Sequence, residues 1–171
     1  INPIIPMVDS DILKSKGLHD GSTILKNHNQ LQAFEKQIKR IVFEMYDYKC
    51  VVSEIGYKWN ELNGVKKTWK GITGAHIKPR AHGGEYSSEN IIPLLEPIHQ
   101  LFDRGIFTIN SDYSIQIHDK AMRDPLLSNF HELHEKKLKI PNGIKLSENF
   151  INHHRKEVFG NFVEGKQIRS L

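Results

Sequence analysis

Four polar residues in the middle of the chain have the types and spacing that hydrolytic chemistry needs. His76 ends an apolar run; thirteen residues separate it from Asn90, eight separate Asn90 from His99, and three separate His99 from Asp103. A neutral imidazole can take a proton from water near neutral pH, so His76 could act as a base. A histidine and an aspartate four positions apart lie on one face of a helix, where they could share a metal ion. A base beside a two-ligand metal site is what hydrolysis of a phosphodiester requires.

Each of these residues also has an ordinary structural interpretation. A lone histidine at a strand end is more often structural, and an asparagine after a loop can simply make a turn. His99 and Asp103 could form a surface pair that contributes only a few tenths of a kcal/mol. We favour the chemical interpretation because the residues occur together and in this order.

Turn residues and hydrophobic periodicity predict the elements that would carry these side chains. Residues 68–77 indicate a strand that ends at His76, and residues 78–89 contain Pro, Gly-Gly and Ser-Ser, which favour a loop. Residues 91–95 indicate a buried strand. A helix then begins at Glu96-Pro97 and ends at Gly105. The predicted order is strand, loop, strand, helix.

The flanking sequence predicts further elements. Apolar residues at helical spacing predict a helix before the motif: Leu31, Phe34, Ile38, Ile41, Val42 and Met45. Its polar face is either a solvated surface or a DNA contact, and it carries Lys36, Lys39 and Arg40. Asn63-Gly64 predicts a turn, and residues 50–52 a short strand.

The C-terminal part is predicted to contain a hairpin and two helices. The hairpin pairs residues 106–109 with 113–117, and residues 126–138 indicate a helix. Residues 141–143 read Pro-Asn-Gly, which indicates a turn. Ser147 could cap a last helix, with Leu146 and Ile151 as a hydrophobic staple.

The motif resembles the HNH endonucleases, which are nucleases built on a ββα-metal core. The matching segments are Ala75-His76-Ile77-Lys78-Pro79, Asn90-Ile91-Ile92 and His99-Gln100-Leu101-Phe102-Asp103-Arg104-Gly105. They are similar to a branch of restriction endonucleases, and the resemblance extends roughly from Tyr46 to Gly160. It implies an α+β fold with a ββα-metal (His-Me finger) core, flanking helices and an extra β-hairpin. It also implies metal-dependent hydrolysis of DNA phosphodiesters, with a restriction or defence role.

The resemblance assigns roles to the motif residues. His76 would be the general base and Asn90 would brace the loop that orients it. His99 would be a metal ligand, and Asp103 matches the position of a further metal-binding histidine in colicin-type DNases. Basic residues flank the site and could grip phosphates, although each one alone could simply be solvated: Lys78, Arg80 and Arg104.

Ala75 departs from the family pattern, because many HNH enzymes have Asp, Glu or His as a metal ligand at that position. The shell would lack one protein ligand, and water or DNA oxygens would complete it. An open, oxygen-rich shell favours Mg²⁺ or Mn²⁺, while the histidine also admits Zn²⁺ or Ni²⁺. Ala75 also supports the rival hypothesis of a non-catalytic DNA-binding module that keeps the fold. A nuclease that acts on RNA is a third hypothesis.

Composition limits the class of protein and its partners. The chain has 171 residues, a formal charge of +4 and 38% hydrophobic residues. Its pI of about 9.1 favours a polyanionic partner such as DNA. Cys50 is the sole cysteine, which rules out an internal disulfide and paired-cysteine zinc sites. No apolar run is long enough for a membrane span, and cytoplasmic residence is the default expectation.

The chain is predicted to be one nuclease domain, residues 25–171, preceded by an arm or linker at residues 1–24. The first residue is Ile rather than Met. The chain could therefore be part of a longer protein with a recognition domain upstream. Cutting both DNA strands needs two active sites or two events, so a homodimer also stays open. The recognition sequence cannot be derived from these residues.

Overall fold

A computed structural model describes residues 28–56 and 71–164. Helix α1 spans His28–Met45, which confirms the amphipathic helix predicted before the motif. Its apolar face is buried at Ile38 and Val42 and lies against the two strands that follow. The arm at residues 1–24, its boundary at residue 25 and the turn at Asn63-Gly64 lie outside the described residues and stay predictions.

The centre of the fold is a β-hairpin with a helix packed on it. Strand β1 (Ile72–His76) pairs antiparallel with β2 (Ile91–Leu95), and His76 lies opposite Ile91 at the end of the ladder. Helix α2 (Glu96–Asp103) begins directly after β2 with proline in its first turn. This is the predicted ββα order in an α+β fold; β1 is shorter than the predicted range 68–77, of which residues 68–70 lie outside the described part of the chain.

Gly105 ends helix α2 and requires glycine for two reasons. Its φ is +71°, in the left-handed region that side chains disfavour. A Cβ at this position would also collide with the backbone carbonyl of Val158. The end of α2 is therefore in direct backbone contact with the C-terminal part of the fold.

A second hairpin and short helices surround this core. Strand β3 (Phe107–Ile109) pairs antiparallel with β4 (Ile115–Ile117), which confirms the extra hairpin. The remaining helices are α3 (Asp119–Met122), α4 (Ser128–His131), α5 (Glu148–Glu157) and α6 (Asn161–Glu164). Two 3-10 turns lie at Arg80–His82 and Pro125–Leu127. None of the helices in the described part is long and apolar enough to cross a membrane.

Two predicted elements were wrong. Residues 50–52 form a turn rather than a strand, although the amide of Val51 donates to the carbonyl of Pro93. Residues 126–138 are helical only at Pro125–Leu127 and Ser128–His131, and then turn. Glu135 adopts a φ of +63°, and Lys137 forms a bridge with Ser114 beside β4. The bridge to the second hairpin therefore determines the backbone of this segment, although its apolar residues are spaced as in a helix.

The turn at residues 141–143 is confirmed, because the amide of Ile144 donates to the carbonyl of Pro141. Ser147 does precede α5, but its side chain makes no capping hydrogen bond. Its backbone carbonyl accepts from the amide of Ile151 instead. Leu146 and Ile151 are both buried in the core, as the predicted hydrophobic staple requires.

His154 connects α5 to the end of α2. Its ring stacks on Phe102 with centroids 3.9 Å apart and an interplanar angle of 6°. Nδ1 lies 2.8 Å from the hydroxyl of Thr108, and Nε2 lies 3.3 Å from the carbonyl oxygen of Phe102. Both ring nitrogens have partners if Nε2–H donates to the carbonyl and Nδ1 accepts from the hydroxyl. Burial lowers the pKa of His154 to about 3, so the ring is neutral in the folded protein.

We predict that His154 makes the fold sensitive to acid. Its pKa lies near 6.5 when unfolded and about 3 when folded, so the unfolded chain takes up a proton that the folded chain does not. The free energy of unfolding should fall as pH drops below 6.5, by up to about 1.4 kcal/mol per pH unit for this residue. Urea unfolding at pH 5 and pH 7 should show a smaller pH effect in His154→Gln than in the wild type. Equal pH effects would contradict this assignment.

Candidate active site

His76 is the last residue of β1 and is half-buried. Its Nε2 is enclosed without a hydrogen-bond partner. Burial, together with the nearby positive charges of Lys39 and Arg80, lowers the pKa of His76 to about 4. The imidazole is therefore neutral at physiological pH, which is the form that can accept a proton.

Asn90 has the contacts of a loop brace. The residue is 0% exposed. Its side-chain oxygen accepts from the amide of Lys78 at 2.8 Å, and its side-chain nitrogen donates to the carbonyls of Lys78 and Glu85 at 3.1 and 2.9 Å. These bonds join the two ends of the loop that follows the His76 strand. The contacts are those expected of Asn90, while its part in catalysis stays a prediction.

His99 and Asp103 meet on the surface of α2. The Nε2 of His99 lies 3.2 Å from a carboxylate oxygen of Asp103, and the side chains are 23% and 43% exposed. The Nδ1 of His99 lies 2.7 Å from the hydroxyl oxygen of Thr73 on β1. A partner on one ring nitrogen orients the ring and leaves the other nitrogen toward the carboxylate.

This donor pair fits an open site for a divalent cation. If the Nδ1–H of His99 donates to the hydroxyl of Thr73, the Nε2 of His99 carries a lone pair. That lone pair and the carboxylate oxygen of Asp103 are both acceptors, and a cation or a proton between them would satisfy both. Within residues 28–56 and 71–164, no group of three or more His, Cys, Asp or Glu could hold a metal. Ala75 is 0% exposed and shares a strand face with Thr73. An alanine side chain has no atom that could bind a metal ion at this position.

A sequence model described as HNH endonuclease matches residues 50–110 of the chain. That segment contains the whole hairpin, the helix that follows it, and His76, His99 and Asp103. Residues 50–110 are therefore similar to the HNH endonuclease family. The ββα geometry and the family match thus agree on the same segment.

The chain is also similar to a solved structure titled "Modification dependent TagI restriction endonuclease". The TM-score is 0.54 and the sequence identity 21%, and the match covers 71% of this chain and 37% of that one. At this identity the likeness shows the fold alone. The 37% coverage means that this chain spans well under half of the length of the TagI chain. No curated protein matches the sequence.

The three basic residues predicted around the HNH site have different surroundings. Arg104 is exposed directly after α2. Lys78 is half-buried, and its backbone is fixed by Asn90. The guanidinium of Arg80 donates to the carbonyl of Gly84 and lies over the ring of Tyr86 at 4.0 Å. Arg80 therefore has a structural role in the loop, and phosphate contact by all three residues stays a prediction.

Helix α1 brings groups to the HNH site that sequence reasoning missed. Glu35 pairs with Lys39 and accepts a hydrogen bond of 3.0 Å from the hydroxyl of Tyr86. The ring of Tyr86 packs edge-on against His76, with centroids 5.4 Å apart. Lys39 also passes close to Gly74 of β1, and its charge acts on the pKa of His76. The i,i+4 spacing of Glu35 and Lys39 was visible in the sequence, but their position beside His76 depends on tertiary packing.

Thr73 is another residue that sequence reasoning missed. Its spacing carried a weak signal, since alternation along β1 places Thr73 on the same face as Ala75, the position of the missing ligand. Its contact with His99 joins β1 to α2 at the site.

Proposed function

We propose that this chain is a metal-dependent endonuclease that hydrolyses DNA phosphodiesters. The observation that carries the proposal is a neutral histidine at the end of β1, within the electrostatic reach of an oriented His99–Asp103 pair. These residues lie inside the segment that matches the HNH endonuclease family. The proposal therefore rests on geometry and family together.

The base would be His76, acting through Nδ1. Its Nε2 is enclosed and out of reach of a water molecule, so the lone pair that removes a proton from the attacking water would be the one on Nδ1. The water would attack phosphorus in line with the departing 3′ oxygen, which gives 5′-phosphate and 3′-hydroxyl ends in this family. Asn90 would hold the loop closed, so that His76 keeps one orientation.

HNH nucleases generally use a divalent metal ion. We assign its ligands to His99 and Asp103. When bound, the ion would stabilise negative charge that develops on the phosphate. The single histidine and the open shell favour Mg²⁺ or Mn²⁺, and Zn²⁺ or Ni²⁺ are alternatives. Thr73 would fix the ring of His99 before an ion arrives.

The electrostatics favour nucleic acid as the substrate. The pI is about 9.1. Lys78 lies beside the motif histidine in the loop, and Arg104 follows the metal-pair helix. Lys39 adds a cation from α1, although it is paired with Glu35. We propose that these groups contact phosphates on both sides of the scissile bond.

A restriction or defence role is the biological setting that we propose. The similar solved structure is named as a modification-dependent restriction endonuclease, and this chain covers 37% of it. The present chain would then supply cleavage. We also propose that a recognition domain lies in another part of the protein, and that two copies of the chain form a homodimer that cuts both DNA strands. The alternative is a DNA-binding module that has lost cleavage, and it is favoured by the buried Ala75 where a ligand could stand.

A plasmid cleavage assay distinguishes a metal-dependent endonuclease from a DNA-binding module that has lost cleavage. The wild type should nick supercoiled DNA with Mg²⁺ or Mn²⁺ and should be inactive with EDTA. His76→Ala should lower the rate by about 10²–10⁴ because the base is lost, while DNA affinity stays near wild type. His131→Ala, which removes a histidine of α4, is the matched control and should cleave normally.

Two outcomes would contradict the proposal in different ways. Wild-type protein that binds DNA but never cleaves it would favour the non-catalytic module. Cleavage by His76→Ala at the wild-type rate would remove His76 from the mechanism while leaving a nuclease in place.

Salt dependence tests the phosphate contacts. Each phosphate neutralised contributes roughly −0.9 to the slope of log K against log salt. Lys78→Ala with Arg104→Ala should therefore flatten the slope by up to about two, equally on unrelated duplexes, in fluorescence anisotropy titrations. Lys136→Ala, whose ammonium lies near Glu132, is the control. An unchanged slope in the double variant would exclude both residues from the interface.

A further inference from the structure

A second pair of histidines lies outside the proposed catalytic site. His82 ends the 3-10 turn Arg80–His82, and His153 lies on α5, 71 residues later. The Nδ1 of His82 is 2.9 Å from the Nε2 of His153, and the ring centroids are 5.1 Å apart at 67°.

The separation of these nitrogens matches two ligands of one transition-metal ion. Imidazole nitrogens bind zinc at about 2.0–2.1 Å. Two ligands at that distance lie about 2.9 Å apart when the angle at the metal is 90°, and about 3.4 Å apart at the tetrahedral angle. The observed spacing suits the first arrangement, and a shift of a few tenths of an ångström would reach the second. A direct hydrogen bond between the rings is the competing explanation.

The surroundings of the pair are accessible and contain a carboxylate. His82 is exposed and His153 is half-buried. Burial lowers the pKa of His153, and His82 and Lys78 lower it further, whereas Glu157 one turn along α5 opposes them. The charge of Lys78 acts against a cation, and that of Glu157 favours one.

We propose that His82 and His153 form a second metal site, specific for a borderline transition ion such as Zn²⁺ or Ni²⁺. Water would complete its coordination shell, since the described residues contain no cluster of three or more candidate ligands. An ion here would link the loop that follows the His76 strand to α5, which His154 already anchors to α2. It would thereby stabilise the folded state, because it binds two segments that are apart in the unfolded chain. The inference does not depend on nuclease activity.

Calorimetric titration of metal-free protein tests this site. The parent for the test is His99→Ala, which removes the proposed catalytic-metal ligand. It should still bind one Zn²⁺ or Ni²⁺ per chain, and its melting temperature should rise with either ion. Mg²⁺ should give neither effect, because two imidazoles suit a softer ion.

Replacing either histidine should remove this binding. In the His99→Ala background, His82→Gln and His153→Gln should each weaken Zn²⁺ and Ni²⁺ binding at least tenfold and abolish the rise in melting temperature. His131→Gln in the same background is the matched control and should bind like the parent. His82 is exposed, so its replacement should leave the fold intact, which circular dichroism would check. Unchanged affinity in both variants would show that the two rings share a hydrogen bond only.

Discussion

The arrangement of the site depends on one buried amide side chain. Asn90 is fully enclosed, and each of its hydrogen bonds goes to the backbone of the loop between β1 and β2. A buried amide without partners would cost about 1–3 kcal/mol, so the loop is held in the form that satisfies it. Gly84 allows that form, because a Cβ there would collide with the carbonyl of Lys78. The backbone of Lys78 is held directly by this closure, and we propose that the closure also keeps His76 in one orientation.

Segments outside the family match hold the two halves of the site from opposite sides. Helix α1 approaches His76 through the Glu35–Tyr86 hydrogen bond. Helix α5 holds the end of α2 through the stacking of His154 on Phe102. The HNH segment thus provides the chemical groups, whereas α1 and α5 determine how rigidly they are held. Substitutions at Glu35 or His154 can therefore affect the site without contact with a substrate.

The sequence predicted the core well because the signals there are local. A proline in the first helical turn, Gly105 at the helix end and a continuous apolar run in β2 each determine structure within a few residues. The segment after β4 was mispredicted because pairing of Lys137 with Ser114 is non-local. The contacts of Thr73, Glu35 and Tyr86 were missed for the same reason. Spacing alone identified which side chains carry chemistry, but not which neighbours orient them.

The claim at the centre of this account is that His76 acts as a neutral base. Its pKa of about 4 leaves it deprotonated well below neutral pH. The most direct measurement is the single-turnover rate of DNA cleavage at pH 5.5 and pH 7.5, at saturating Mn²⁺, where circular dichroism shows the protein folded. The rates should differ by less than about twofold, since a base with this pKa is already neutral at both values. A rate about tenfold lower at pH 5.5, with a midpoint near 6.5, would contradict the claim.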